Sequence, residues 1–211
     1  GTGENGGGRH IGFGDGIYVS HDAGKSFKNM GLKESEHLAK IVVHPKNSNV
    51  IWVASQGPLW SSGGQRGIYK STDAGETWTQ VLSRGPWTGA TDLVMDPENP
   101  QILYAALHQR HRTVAALMNG GPESGIYKST DGGDTWSELK SGLPGGDKGK
   151  ICLAVSPQDS SVVYAGIELP GRGNGGFYRS SDHGASWVKQ SDYVAGGTGP
   201  HYYQEIYADP H

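Results

Sequence analysis

A single eight-residue stretch, written four times, decides most of what this chain can become. It reads Ser71-Thr-Asp-Ala-Gly-Glu-Thr-Trp78, Ser129-Thr-Asp-Gly-Gly-Asp-Thr-Trp136 and Ser180-Ser-Asp-His-Gly-Ala-Ser-Trp187, with a weaker first copy, Ser20-His-Asp-Ala-Gly-Lys-Ser-Phe27. Each copy follows a Gly-aromatic strand phrase: Gly16-Ile-Tyr, Gly67-Ile-Tyr, Gly125-Ile-Tyr and Gly176-Phe-Tyr. The pattern predicts a hairpin, in which a β-branched and aromatic run arrives, turn formers reverse it, and a second strand leaves from the aromatic residue. Asp22, Asp73, Asp131 and Asp182 can accept hydrogen bonds from the backbone of their own turns. Gly24, Gly75, Gly133 and Gly184 can take the positive φ such a turn needs. Trp78, Trp136 and Trp187 then cover the hairpins with apolar area. Four regularly spaced acids invite a catalytic or calcium reading, but a site is built once and not in every repeat, so these residues are read as structural.

A second phrase sets the period. Ile41-Val-Val-His-Pro45, Leu93-Val-Met-Asp-Pro97 and Leu153-Ala-Val-Ser-Pro157 each lead through a polar turn into an apolar run, Val50-Ile-Trp-Val-Ala54, Ile102-Leu-Tyr-Ala-Ala106 and Val162-Val-Tyr-Ala-Gly166. Pro ends the first strand, where its missing N–H does least harm. Four short strands recurring at intervals of about 50–60 residues predict a β-propeller blade. The fold expected is therefore all-β, an arc of four-stranded blades A to D, each with its repeated turn between C and D. Residues 1–32 read as a partial blade, about 37–84, 90–142 and 149–190 as complete ones, and 201–211 as the start of another. Three complete and two partial blades imply a larger ring, closed by the rest of a longer chain or by further copies.

Composition narrows the classes. The 211 residues carry a net charge of −3, and the 18 Lys and Arg form no block, which speaks against nucleic acid. Apolar runs stay well short of the roughly 18 residues a membrane helix needs. The one cysteine, Cys152, sits in an apolar strand phrase and reads as a buried hydrophobe. No cofactor motif is present, and His108 and His111 are three apart with no acid or cysteine to complete a metal set.

The eight-residue turn resembles the Asp-box, or bacterial neuraminidase repeat, found in sialidases, xyloglucanases, photosystem II assembly factors and the sortilin ectodomain. The longer phrases Ala90-Thr-Asp-Leu-Val-Met-Asp-Pro-Glu-Asn-Pro100, Gly120-Gly-Pro-Glu-Ser-Gly125 and His201-Tyr-Tyr-Gln-Glu205 are similar to those of bacterial sortilin-like and glycosyl-hydrolase-like Asp-box proteins. The resemblance implies a propeller and leaves activity open, because hydrolases and non-enzymes share the box.

A propeller's variable B–C loops and D–A connections share one face, opposite the Asp-box turns, and that face is expected to hold any site. The candidates there are Trp60, Arg66, Trp87, His108, Arg110, His111, Arg112 and Tyr202. Residues 108–112 read as a loop in which Arg110 and Arg112 could grip a carboxylate, phosphate or sulfate. Trp60, Trp87, Tyr202 and Tyr203 could stack on sugar rings or line a peptide groove. Glycoside hydrolysis needs two carboxylates roughly 5–10 Å apart; Glu36, Asp92, Glu123, Glu168 and Glu205 are available, and sequence pairs none of them. With no recognisable catalytic set, the leading expectation is a non-catalytic, sortilin-like binding or scaffold propeller for a peptide, protein or glycan. A fragment of a secreted glycoside hydrolase and a structural repeat of a surface assembly are the alternatives, and the location expected is secreted, periplasmic or cell-surface.

Overall fold

The computed structural model describes residues 1–171, 175–194 and 204–211. Among these residues there is no helix, and fifteen strands form four antiparallel sheets. The first sheet pairs β1 (Tyr18–Val19) with β2 (Lys28–Asn29). The second runs in chain order through β3 (Leu38–Val43), β4 (Ile51–Ser55), β5 (Gly67–Ser71) and β6 (Thr79–Leu82). The third contains β7 (Thr88–Met95), β8 (Leu103–Arg112), β10 (Gly125–Ser129) and β11 (Ser137–Leu139), with β9 (Leu117–Asn119) pairing the end of β8. The fourth holds β12 (Ile151–Val155), β13 (Val163–Glu168), β14 (Gly175–Ser180) and β15 (Val188–Ser191). Among the blades' first strands, β7 packs against both β3 and β12, so the three form the inner wall of a propeller arc.

The apolar core lies between the sheets. Successive side chains of a strand point to opposite faces, and each face of a middle blade meets a different neighbour. Along β8, Leu103, Ala105 and Leu107 join Trp52, Ile68 and Leu82 of the second sheet. Tyr104 and Ala106 turn the other way, toward Ile151, Leu153, Val163 and Trp187 of the fourth. Ile17, Met30 and Leu32 meet Val53 and Tyr69 in the same manner. Each large apolar side chain so buried contributes about 1.5–3 kcal/mol, which explains why strands A and B read as unbroken apolar runs.

The box closes itself by side-chain to backbone bonds. In the third blade Ser129 Oγ donates to Asp131 Oδ1 at 2.7 Å and accepts from the Gly133 N–H at 2.8 Å. Thr135 donates its N–H to Asp131 Oδ1 at 2.9 Å and its hydroxyl to Oδ2 at 2.5 Å. The same bonds recur at Asp22, Asp73 and Asp182. Where the sequence pattern asks for one left-handed residue per turn, the structure has two: Ala23, Ala74, Gly132 and His183 precede the box glycines at φ 58°, 60°, 70° and 54°. At three of them the N–H is held by the A–B turn of the same blade, through Asn49, Gln101 and Ser161 carbonyls at 2.9, 2.9 and 2.8 Å. The box therefore fastens the C–D hairpin to the A–B hairpin at one end of each of these blades.

Candidate functional site

At the opposite end the chain is less regular. Residues 108–112, expected as a loop, continue β8 as a strand, pairing with β7 on one side and β9 on the other. Alternation along a strand puts His108 and His111 on opposite faces: His108 is buried, while His111 is half-exposed against the Trp87 ring at 3.9 Å. They do not converge on one ion. Among the described residues no three His, Cys, Asp or Glu side chains gather as a metal site.

The arginines expected to meet a ligand are buried on the chain's own carbonyls. Arg66 donates to Gly63, Gln56 and Ser61 carbonyls at 2.7, 2.8 and 2.8 Å and also to Pro58. Its guanidinium lies 5.9 Å from the Trp87 ring, and burial lowers its pKa to about 10. Arg110 reaches the carbonyl of Gly6 and, at 3.4 Å, that of Gly57; burial, reinforced by Arg66, lowers it to about 9. Arg112 grips Gly7 with two nitrogens at 3.2 and 3.0 Å, and Lys150 reaches Asn5 at 3.3 Å. Three successive carbonyls of the Asn5–Gly7 stretch are thus held by three cations from the third and fourth blades. This is backbone-directed, charge-assisted bonding, which fixes a stretch whose two glycines have no side chains to pack. Beside it His37 is fully buried, and desolvation, then Arg110, lower its pKa to about 4.

Next to this stretch a cavity of about 100 Å³ opens between the inner strands, lined by Asn5, Lys40, Thr91, Asp92, Gln204 and Glu205. Bulges in β3 at Ala39 and in β7 at Thr91 place Lys40 and Asp92 at equivalent positions, opposite Ala54 and Ala106. Asp92 accepts the N–H groups of Leu93 at 2.9 Å and of Leu153, in the next blade, at 2.8 Å. Lys40 Nζ stands 3.8 Å from its Oδ1. Burial nevertheless raises the Asp92 pKa, against the pull of the Leu153 N–H and Lys40. Gln204, 5 % exposed, donates Nε2 to Lys150 and Gly166 carbonyls at 3.1 and 2.7 Å, which leaves Oε1 without a partner among the described residues. Glu205 accepts the Tyr207 hydroxyl at 2.9 Å.

Of the five carboxylates the sequence offers, the cavity therefore brings together Asp92 and Glu205. Glu168 accepts from Asn119 Nδ2 at 2.9 Å and from the Lys150 N–H at 3.1 Å, and Glu123 accepts from Thr88. Glu36 sits beside His37 at 3.9 Å with a φ of 51°. Trp60 is 37 % exposed on the same face as Trp87 and His111, its neighbour Leu59 accepting the Arg112 N–H at 3.1 Å. Tyr202 and Tyr203 lie outside the described residues. Lys40, Asn5 and Gln204 were missed in the sequence. The available signal was positional: Lys40, Asp92, Cys152 and Glu205 all immediately precede the apolar residue that opens the A phrase. Cys152, in that column, is buried, and desolvation raises its pKa to about 12.

Comparison with known proteins places these features. The family model for sortilin/Vps10, described as sortilin, neurotensin receptor 3, matches residues 15–145. A xyloglucanase from Paenibacillus sp is 32% identical over 143 residues, 63% of this chain and 13% of that protein. A xyloglucanase from Hypocrea jecorina is 28% identical over 198 residues, 87% of this chain and 21% of the relative. The vacuolar protein sorting/targeting protein 10 of Colletotrichum graminicola is 25% identical over 175 residues, 74% of this chain and 10% of the relative. Among solved structures, the GH74 xyloglucanase from Xanthomonas campestris superposes with a TM-score of 0.61 at 19% identity, over 83% of this chain and 27% of that one. A GH74 enzyme from Niastella koreensis gives 0.62 at 18%, over 84% and 26%. The chain spans about a tenth to a fifth of the length of these curated relatives. The similarity to xyloglucanases overturns the expectation of a non-catalytic binding or scaffold propeller. That expectation rested on finding no catalytic set in the sequence, and residues spread over several blades leave no contiguous motif to find.

Proposed function

Since this chain belongs to the Sortilin-Vps10 family of propellers, we propose that it is part of a glycoside hydrolase acting on a polysaccharide of the xyloglucan kind. The observation that carries this is the 32% identity to a xyloglucanase over 143 residues. The axial cavity supports it, because glycoside hydrolysis asks for a protonated acid and a second carboxylate across the scissile bond. Asp92 is the candidate acid: burial raises its carboxyl pKa, the direction a general acid that protonates the departing sugar oxygen needs. Glu205, which lines the same cavity and accepts the Tyr207 hydroxyl, is the candidate partner carboxylate, as base or nucleophile. Trp60, 37% exposed, offers a ring suited to stacking on a pyranose. Such a substrate is an extracellular polymer, so a location outside the cytoplasm belongs to the same reading.

The test is release of reducing ends by the natural-length protein from xyloglucan, arabinan and sialylated glycans. Turnover of xyloglucan is expected, with Asp92→Asn and Glu205→Gln each lowering kcat by about 10²–10⁴-fold while the protein stays folded. Binding of xyloglucan without any turnover would sink the proposal, and turnover unaffected by both changes would sink the residue assignment.

A further inference from the structure

Two of the inner strands carry one residue more than their pairing needs. In β3 the register steps from Leu38, opposite Ser55, to Lys40, opposite Ala54. In β7 it steps from Ala90, opposite Leu107, to Asp92, opposite Ala106. In β12 the pairing runs unbroken from Ile151 to Val155. A bulge re-aims the side chain beside it, and the two bulges here bring an ammonium to a carboxyl, Lys40 Nζ 3.8 Å from Asp92 Oδ1. The carboxyl is the fixed member. The bulge residue Thr91 donates its hydroxyl to the Ile151 carbonyl at 3.1 Å, and the N–H groups of Leu93 and Leu153 each take one Asp92 oxygen. Lys40 is the adjustable one, its side chain 38% exposed. Its ammonium also stands 5.5 Å from the centroid of the Tyr207 ring, and Tyr207 donates its hydroxyl to Glu205 at 2.9 Å. One ammonium thus lies between Asp92 and the ring that holds Glu205.

We propose that Lys40 is a positioning residue that ties the two cavity carboxylates together: its ammonium steadies the carboxylate of Asp92 once the proton has left, and it anchors the ring of Tyr207, which holds Glu205. The inference rests on the reading of Asp92 as the acid and Glu205 as its partner. When the glycosidic oxygen takes the proton and departs, the Asp92 O–H bond breaks and a buried carboxylate remains. Burial disfavours that charge, and a cation placed beforehand beside it stabilises the charge as it develops. Lys150, at the start of β12, is a second cation facing Asp92, but it acts more weakly than Lys40, and its ammonium is given to the Asn5 carbonyl at 3.3 Å. Glu205 and Tyr207 face Asp92 from the C-terminal segment and Cys152 from β12. Burial holds the Cys152 thiol up at about 12, and the bond to Glu205 raises the Tyr207 phenol, so both stay neutral. Lys40 is therefore the group whose charge Asp92 feels most.

The test uses the natural-length protein carrying ¹³C-labelled aspartate, with Asp92 identified by the signal lost in Asp92→Asn. Removing an opposite charge raises a carboxyl pKa, so in Lys40→Met the Asp92 titration is expected to move up by about one pH unit. In Lys40→Arg it is expected to stay in place. Tyr207→Ala, which takes the ring from beside the ammonium, is expected to reproduce part of the shift, and Tyr207→Phe, which keeps the ring, none of it. On xyloglucan the basic limb of the kcat profile reports the acid of the bound complex. In Lys40→Met that limb is expected to move up with the titration, while kcat falls about tenfold with KM little changed, and Lys40→Arg restores kcat. Circular dichroism of each variant confirms that the fold is kept. An Asp92 titration that ignores Lys40→Met overturns the proposal, whether or not the protein turns over xyloglucan. So does a fall in kcat with an unmoved basic limb, the mark of a merely structural role. A titration that moves as expected in a protein without turnover upholds the tie between Lys40 and Asp92 and sinks the hydrolase reading alone.

Discussion

The indole of Trp52 donates a hydrogen bond at 3.0 Å to the carbonyl of Gly132, eighty residues further along the chain and one blade further round the arc. A strand residue of one blade thereby holds the turn of the next, and the turn in turn holds its own hairpins together. Removing either side of the contact has a calculable effect.

Trp52→Phe keeps an aromatic ring in the interface and leaves the Gly132 carbonyl without this donor. Chemical denaturation should show a loss of about 1–3 kcal/mol, the cost of an unsatisfied buried acceptor plus the smaller ring. Tyr104→Phe should lose less, because Lys128 continues to serve the His183 carbonyl at 2.7 Å. Equal losses in the two variants would count against the hydrogen bond as the cause.

Gly133 and Gly24 occupy the same box position at nearly the same φ, 83° and 85°. Alanine at either position carries the left-handed penalty of about 1–2 kcal/mol. Only at Gly133 does the new Cβ fall 2.7 Å from Trp52 Nε1; at Gly24 its nearest neighbour is 3.9 Å away. Gly133→Ala should therefore cost about 1–3 kcal/mol more than Gly24→Ala, as overpacked sites do, and paired melts read the difference directly.

The box carboxyls Asp22, Asp73 and Asp182 are held down to about 2, first by the Ser or Thr hydroxyl that closes each turn, and Asp131 is held low by Thr135 in the same way. A carboxyl whose folded pKa lies below its unfolded one adds stability that is complete above the unfolded value near 4. That contribution is lost as pH falls from there through about 2. Tm should hold steady from neutrality to about pH 5 and then drop steeply. In Asp73→Asn the drop should be shallower, and a variant with an unchanged acid limb would contradict the assignment.

Arg66 satisfies four carbonyls of the loop that carries Trp60. Arg66→Met should destabilise by at least about 3 kcal/mol, because the carbonyls lose charge-assisted bonds and remain buried. Arg66→Lys should recover little of it, since an ammonium cannot span the same fan of acceptors. Limited proteolysis within residues 57–64 should accelerate in both variants, ahead of global unfolding.

Much of the sheet framework was legible because its signals are local. Gly67-Ile-Tyr and Leu93-Val-Met-Asp-Pro97 announce strand and turn within a few residues, and the structure places strands over them. The misreading at residues 108–112 has a physical origin. Arginine and histidine mark loops when their polar ends meet water, and here His108, Arg110 and Arg112 are all buried, the two arginines on the carbonyls of Gly6 and Gly7. Nothing near residue 110 announces that the carbonyls of Gly6 and Gly7, a hundred residues earlier, will accept the hydrogen bonds of Arg110 and Arg112. Asp92 and Glu205 were equally visible as acids, but no spacing rule joins residues 113 positions apart on separate blades.

By itself, then, the sequence determined the turn and the blade, because the Ser, Asp, Gly and Thr of each box complete their bonds within eight residues. Only the tertiary structure decided which side chains serve a site and which serve the scaffold. That choice depends on which neighbour buries each group and which carbonyl or amide meets it there, and those partners come from other blades.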